Sequence, residues 1–426
     1  MGGEPGYRPS DGTKADNKDG RRMQYQLEYR MSSPGGAPPR GTGTACFTNE
    51  ALEIREDSGE VLEIPARDIE SFEIGDYRIY ISLKSGAFLE LYGLGYRFRD
   101  FADELVNTRN SVIRKDLLMH EKLLFTAEDA QYRYIERTGG ESPAASCNIQ
   151  VTETALVIAE PGGSHLRVPL CYVKEIADVD YSLHVLAETG DRIVLSMLGR
   201  QREPFLLNME NAINNLEAKA RQLCRELFPD AGGALLDCMA VLFKDGRAVS
   251  RKVLESLDPG IWERMEERLE AFGIKKSCDF LNRFNDTGRG AIGFKRGLMG
   301  DLTGEYIWIL IPVRGIRGRL VALEAGSDGG TGGRATYFFS VPEGCDDGDA
   351  LEEYMQLLNY HLLVINFRRE PIYLREDMLD KPAYRHYRYA IERLPSLRFL
   401  RAGFSGRVAH TSEEAWEREA ENLIKG

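Results

Sequence analysis

Asp76–Gly95 reads DYRIYISLKSGAFLELYGLG, and its alternation decides the fold. Ile79, Ile81 and Leu83 fall on one side of an extended chain, and Arg78, Tyr80, Ser82 and Lys84 on the other. That period of two marks a half-buried strand. Ser85-Gly86 then turns the chain into a partner, Phe88–Tyr92. Asp76-Tyr77 in front reads either as a ligand contact or as a strand-starting turn whose tyrosine ring packs; its recurrence in a second copy favours the turn.

That second copy lies 104 residues on. Asp180–Gly199 reads DYSLHVLAETGDRIVLSMLG, and the match continues on both sides without a gap. Leu52, Ile54, Gly59, Leu62 and Pro65 fall on Leu156, Ile158, Gly163, Leu166 and Pro169; Phe101, Asn107 and Asn110 fall on Phe205, Asn211 and Asn214. About 15 identities in about 60 positions exceed the roughly four that ordinary residue usage gives, so the segment is duplicated. Further short apolar runs precede the hairpin at 24–30, 45–47, 52–55, 61–64 and 69–74. After Gly95 the period lengthens to 3.6, with Phe98, Phe101, Leu105 and Val112 on one stripe; Phe205, Met209, Ile213, Leu216, Ala220, Leu223 and Leu227 form the second stripe.

Seven short strands closed by one amphipathic helix, twice over, resemble the bacterial PH-like or GRAM-like domain superfamily. The two quoted stretches carry the resemblance, which spans residues 23–228. It implies two β-sandwiches or partly open barrels, each capped by its C-terminal helix, and it brings no catalytic residue. Members that hold inositol phosphates carry a basic cluster in the first loop. Here that loop, Met31–Thr44, offers Arg40 alone, with Arg30 just before it, and its counterpart in the second copy only Arg137. The resemblance therefore argues against phosphoinositide binding and leaves protein or peptide binding.

The chain reads as a disordered tail (1–22), two PH-like domains (23–118 and 119–228) and an α+β C-terminal domain (229–426). That last domain is expected to hold helices, a three-stranded meander at 306–313, 319–323 and 335–341, a helix over 349–366, and a tyrosine-rich helical tail. Strands followed by a helix there also leave open a third, diverged PH-like unit.

The formal net charge is −12, and each copy has eleven basic and sixteen acidic residues. An overall acidic field opposes nonspecific attachment to nucleic acid or anionic lipid. Seven cysteines include no C-x-x-C pair, which fits reduced thiols in the cytoplasm and offers no metal site. No apolar run reaches transmembrane length.

Two segments stand against the acidic field. Gly288-Arg-Gly290-Ala-Ile-Gly293 spells G-x-G-x-x-G, but Arg283–Thr287 before it is no strand pattern and no stable helix can follow. It is expected to be a flexible basic loop, in which Arg289, Lys295 and Arg296, with Arg314, Arg317 and Arg319 further on, could cradle phosphate or carboxylate. The tail over 381–407 carries Arg385, Arg388, Arg398 and Arg401 among Tyr384, Tyr387, Tyr389, Phe399 and Phe404. Such interleaving suits single-stranded nucleic acid, or else a helix pair with arginines lying outward.

The six histidines include no H-x-x-x-H or H-E-x-x-H, and neither G-x-S-x-G nor a phosphate loop occurs. Asp180 and His184 share a strand face, a slender basis for acid–base chemistry. The expected function is a non-enzymatic scaffold that binds another protein or peptide and needs no cofactor. The alternatives are nucleic-acid binding through the C-terminal basic segments, or an enzyme of unrecognised type in the C-terminal domain.

Overall fold

A computed structural model describes residues 23–32, 40–119, 121–160, 165–298, 301–328, 334–346 and 348–426. The 1–22 tail and most of the first loop lie outside them. The chain divides into two compact units, 1–112 and 113–426.

In the first copy, β1 (Gln24–Ser32), β2 (Arg40–Phe47), β3 (Ala51–Glu56), β4 (Val61–Pro65), β5 (Ile69–Gly75), β6 (Arg78–Leu83) and β7 (Phe88–Tyr92) precede α1 (Phe98–Asp116). They form one antiparallel sheet in the order β4-β3-β2-β1-β7-β6-β5. Strands β4 and β5 are its two edges, so the sheet does not close into a barrel. Alternation places Tyr25, Leu27 and Tyr29 of β1 inward with Ile79, Ile81 and Leu83, and Phe101 and Leu105 of α1 join the same core.

The second copy repeats the plan with β8 (Leu123–Ile135), β9 (Ala145–Thr152), β10 (Ala155–Ala159), β11 (His165–Pro169), β12 (Val173–Val179), β13 (Ser182–Ala187) and β14 (Arg192–Ser196), then α2 (Arg202–Leu227). Its sheet order is β11-β10-β9-β8-β14-β13-β12. The hairpin turns match as well. Gly75 pairs with Arg78 and Val179 with Ser182, which leaves Asp76-Tyr77 and Asp180-Tyr181 as two-residue loops. All four loop residues have positive φ, 49° and 57° in one copy, 47° and 63° in the other. That is the requirement of a type I′ turn, whose twist suits a hairpin. The ring of Tyr77 meets Phe98 at 5.4 Å but stays 73% exposed, and Tyr181 is 94% exposed, so one tyrosine keeps a surface ring contact and neither packs inward as expected.

Beyond them come α3 (Gly233–Leu242), β15 (Val249–Ser250), α4 (Arg251–Leu257), α5 (Ile261–Ala271) and α6 (Lys275–Asn282). Then β16 (Ala291–Leu298), β17 (Asp301–Gly315), β18 (Gly318–Ser327) and β19 (Ala335–Ser340) lead into α7 (Gly348–Val364). The tail is α8 (Glu370–Tyr373), α9 (Glu376–Leu379), α10 (Arg385–Arg393), α11 (Pro395–Gly403), β20 (Phe404–Ala409) and α12 (Glu413–Lys425). The sheet has six antiparallel strands in sequence order, from β15 to β20, rather than three. Ile307, Ile309, Ile311 and Val313 pack toward α3, α5, α6 and α12, while Trp308 and Leu310 pack toward α7, α10 and α11. With helices on both faces, the strand is apolar on both sides.

Three stretches expected as loop or helix are strands, and glycine explains each. Arg40–Thr44 belongs to β2; a Cβ on Gly41 would stand 2.7 Å from the ring of Tyr29. The G-x-G-x-x-G segment runs into β16, where a Cβ on Gly293 would stand 2.6 Å from Trp308. In β20, a Cβ on Gly406 would strike Leu423. These glycines admit a neighbour closely instead of freeing the chain.

Candidate functional site

The charged residues of unit 2 gather at four places. The most buried is the seam between the second copy and the C-terminal domain. Arg167, on edge strand β11, is 3% exposed. Its guanidinium donates to the carbonyls of Leu363 and Val364, both at 2.7 Å. Those carbonyls end α7, where Asn366 and Phe367 turn left-handed at φ 50° and 55°, and Leu363 O accepts a tighter-turn bond from Asn366 N–H at 3.0 Å beside the one from Arg167. Arg167 also pairs with Glu121 and reaches Asn366 Oδ1 at 3.3 Å. Burial alone would raise the Glu121 carboxyl, but Arg167, a backbone N–H and the Thr154 hydroxyl hold it down to about 2. Alongside, Asn359 donates to Tyr172 Oη at 3.0 Å and accepts from Trp308 Nε1 at 2.9 Å.

Lys295 belongs to this interior. Its ammonium lies 2.8 Å from Asp245, whose carboxyl burial pushes up against the pull of that ammonium. A cavity of about 420 Å³ opens on the same seam. Leu242, Val249 and Val253 supply apolar lining, and its charges occur in pairs. Arg247 meets Glu188 at 3.1 Å, Arg137 meets Glu353 at 3.4 Å, and Arg289 meets Glu352.

The second place is the hairpin between β17 and β18. Gly315 pairs with Gly318, so Ile316 and Arg317 form the tip. Arg314 donates its backbone N–H to Phe284 O at 2.8 Å; Ile316 donates its own to Ile424 O at 3.3 Å. Lys425 lies 5.9 Å from the Phe284 ring. Arg319 is buried and pairs with Asp286 at 2.6 Å, and together with Arg314 it keeps that carboxyl below its ordinary range. Arg296 lies elsewhere, between Glu226 and Glu305. The basic stretch is therefore spread over three environments.

The tail forms the third place. Arg388 meets Asp380 at 2.7 Å. Arg398 donates to Glu392 O at 2.8 Å at the end of α10. Arg401 donates to Pro371 O at 2.6 Å and Leu374 O at 2.8 Å. Arg385 opens α10 and is exposed. Tyr387 bonds Glu370, and Tyr389 is buried. Cations on helix-end carbonyls offset the orphan acceptors and the dipole there.

The fourth place was invisible in the sequence because β18, β19, the loops flanking β19 and β20, and α12 assemble it. Glu324 is fully buried on β18, with Arg334 at 3.1 Å and His410 Nε2 at 3.0 Å, and it accepts from Thr336. Trp416 donates to Thr336 at 2.8 Å and stacks on His410 at 4.8 Å. A recess of about 180 Å³ opens beside His410. A histidine fixed by a carboxylate can hold or pass a proton at its other nitrogen. Cys278 nearby is no ready nucleophile, since burial pushes its thiol well up.

Among the described residues, no group of three or more His, Cys, Asp or Glu could hold a metal ion, and no helix is long and apolar enough to cross a membrane. No family model and no curated protein matches the chain. Among solved structures, the C-terminal domain of an unknown protein from Leishmania infantum is similar at 17% identity, covering 24% of this chain and 96% of that one, with a TM-score of 0.20. The Spt16D Pob3N heterodimer is similar at 12% identity over 40% of this chain and 85% of that one, with a TM-score of 0.17. Likenesses at this level assign no function.

Proposed function

We propose that the protein is a non-enzymatic interaction protein of the cytoplasm, built on two PH-like domains, in which the second domain and the C-terminal domain act as one rigid platform. One observation carries this reading: at the seam of unit 2, buried charged and hydrogen-bonding groups join its parts. Arg167 caps α7, Lys295 holds Asp245, and Asn359 ties Tyr172 to Trp308. Buried polar groups satisfied in this way fix one arrangement of the elements that carry them. A fixed platform binds a partner without the entropic cost of ordering itself.

The nucleic-acid alternative draws on the tail, where Arg388, Arg398 and Arg401 already serve carboxylates and helix-end carbonyls. Arginines so held offer less to phosphate than free ones. The test is capture of the tagged chain from its own lysate, with and without nuclease. Protein partners that survive nuclease are expected. Capture that disappears with nuclease would replace this reading by the nucleic-acid one.

A further inference from the structure

We propose that the tip of the β17–β18 hairpin is a docking point for an acidic peptide segment with an apolar residue at its centre. This rests on reading the chain as an interaction protein, and names one contact surface and its partner chemistry.

Charge comes first. Arg314 and Arg317 flank Ile316 and are exposed, and Arg283 is exposed beside Phe284. Lys425 joins them across the Phe284 ring. Lys425 pairs with Glu421 and Arg317 donates to Gly426 O at 3.2 Å, while Arg319 holds the Asp286 carboxylate and leaves Arg314 and Arg283 to set the sign of the corner. The corner is thus basic in a chain of net charge −12. A local patch of the opposite sign selects an acidic partner and steers it in.

The tip also has a fixed shape. Ile316 is 77% exposed, yet its N–H is held by Ile424 O. A Cβ on Gly315 would lie 2.8 Å from both Gly318 O and Ile424 O, so the turn sits hard against the end of α12. An exposed apolar side chain on a clamped turn can be covered without ordering a loop first.

A peptide fits better than the other anions. Nucleic acid gains from ring stacking, and the tip presents an aliphatic residue instead. An anionic membrane would face the whole acidic chain, and one isoleucine anchors little. Aspartates and glutamates around one leucine match the arginines around Ile316, and Arg takes carboxylates in a two-point grip.

The experiment is a titration of the full chain against a dye-labelled peptide of aspartates and glutamates with one central leucine, read by fluorescence anisotropy at low salt. The wild type should bind, and binding should weaken steeply as salt rises. Arg314→Glu with Arg317→Glu should lower affinity at least tenfold, and Ile316→Ser about threefold to fivefold. Both changes are on exposed side chains, and tryptophan fluorescence reports whether unit 2 remains folded. A peptide that does not bind the folded wild type, or that binds the variants equally, overturns the proposal. So does stronger binding of single-stranded RNA or of phosphatidylserine vesicles, whose loss tracks the same variants. Lysate capture separates this from the broader reading: partners retained by the folded charge-reversed variant would leave the interaction protein standing and remove this site.

Discussion

The two copies share a backbone plan but differ on one surface, and the difference shows what that surface is for. In the second copy, Val157, Arg167, Cys171 and Tyr172 are each 3% exposed or less. They face the C-terminal domain, three in its apolar cluster and Arg167 on the end of α7. The residues 104 positions earlier are Glu53, Glu63, Arg67 and Asp68. Glu63 and Asp68 are exposed, and Arg67 pairs with Glu50 at 2.6 Å. The sheet tolerates either set, because these side chains point away from each copy's own core. Sequence identity between the copies therefore marks the fold, and their divergence marks the docking face.

The largest test of that contrast removes Arg167. Arg167→Ala leaves Glu121 buried without its cation and removes the guanidinium donor from the Leu363 and Val364 carbonyls. Loss of one partner of a buried pair costs about 3–5 kcal/mol. Glu63→Ala, at the matching exposed position, should stay within about 0.5 kcal/mol. All three tryptophans (Trp262, Trp308 and Trp416) lie in unit 2, so urea unfolding followed by their fluorescence reads the first effect directly. A change of under 1 kcal/mol for Arg167→Ala would mean that the seam is not what fixes α7.

A pH titration sharpens the same point. Glu121 stands at about 2 in the folded chain and near 4.5 when unperturbed. A carboxyl depressed by folding stabilises fully above its unfolded value and loses that contribution as pH falls through the folded one. Unit 2 should therefore lose about 3 kcal/mol from this group as pH drops from about 4.5 to about 2. In Arg167→Met the contribution should change sign, since a buried carboxyl without a cation is raised instead. The difference between the two proteins' stability curves isolates Glu121 from the other acids, and parallel curves would refute the assignment.

The repeated strands, the closing helices and the duplication were legible because alternation and the 3.6 period come from a chain burying one side of each element. What escaped were β16, β20 and the start of β2, and they failed for one physical reason. Gly293 and Gly41 read as loop residues and Gly406 fell in the expected helical tail, yet each lies beneath a large side chain, Trp308, Tyr29 or Leu423, that is remote in sequence. The charged sites were legible only as composition. Arg314 and Arg317 were visible as a basic stretch, but Lys425 joins them from more than 100 residues away. Lys295 and Arg401 looked identical to exposed cations, and burial against Asp245 or a helix end is a tertiary fact. The Glu324–His410 pair had no local signal at all.

The smallest effect returns to the hairpin turns. Tyr77 and Tyr181 hold the same left-handed conformation, which costs tyrosine about 1 kcal/mol more than glycine, or than asparagine, whose short polar side chain bonds locally there. Tyr77 recovers part of this through its ring contact with Phe98, a pairing worth about 0.5–1.5 kcal/mol, whereas Tyr181 projects into solvent. Tyr181→Asn should therefore stabilise its unit by about 0.5 kcal/mol, and Tyr77→Asn should be neutral or slightly destabilising. Amide hydrogen exchange in β12–β13 and in β5–β6 reads the two hairpins separately. If both substitutions stabilise equally, the Phe98 contact contributes nothing; if Tyr181→Asn destabilises, its ring has a partner in solution, and the outer end of the second copy becomes a surface to map.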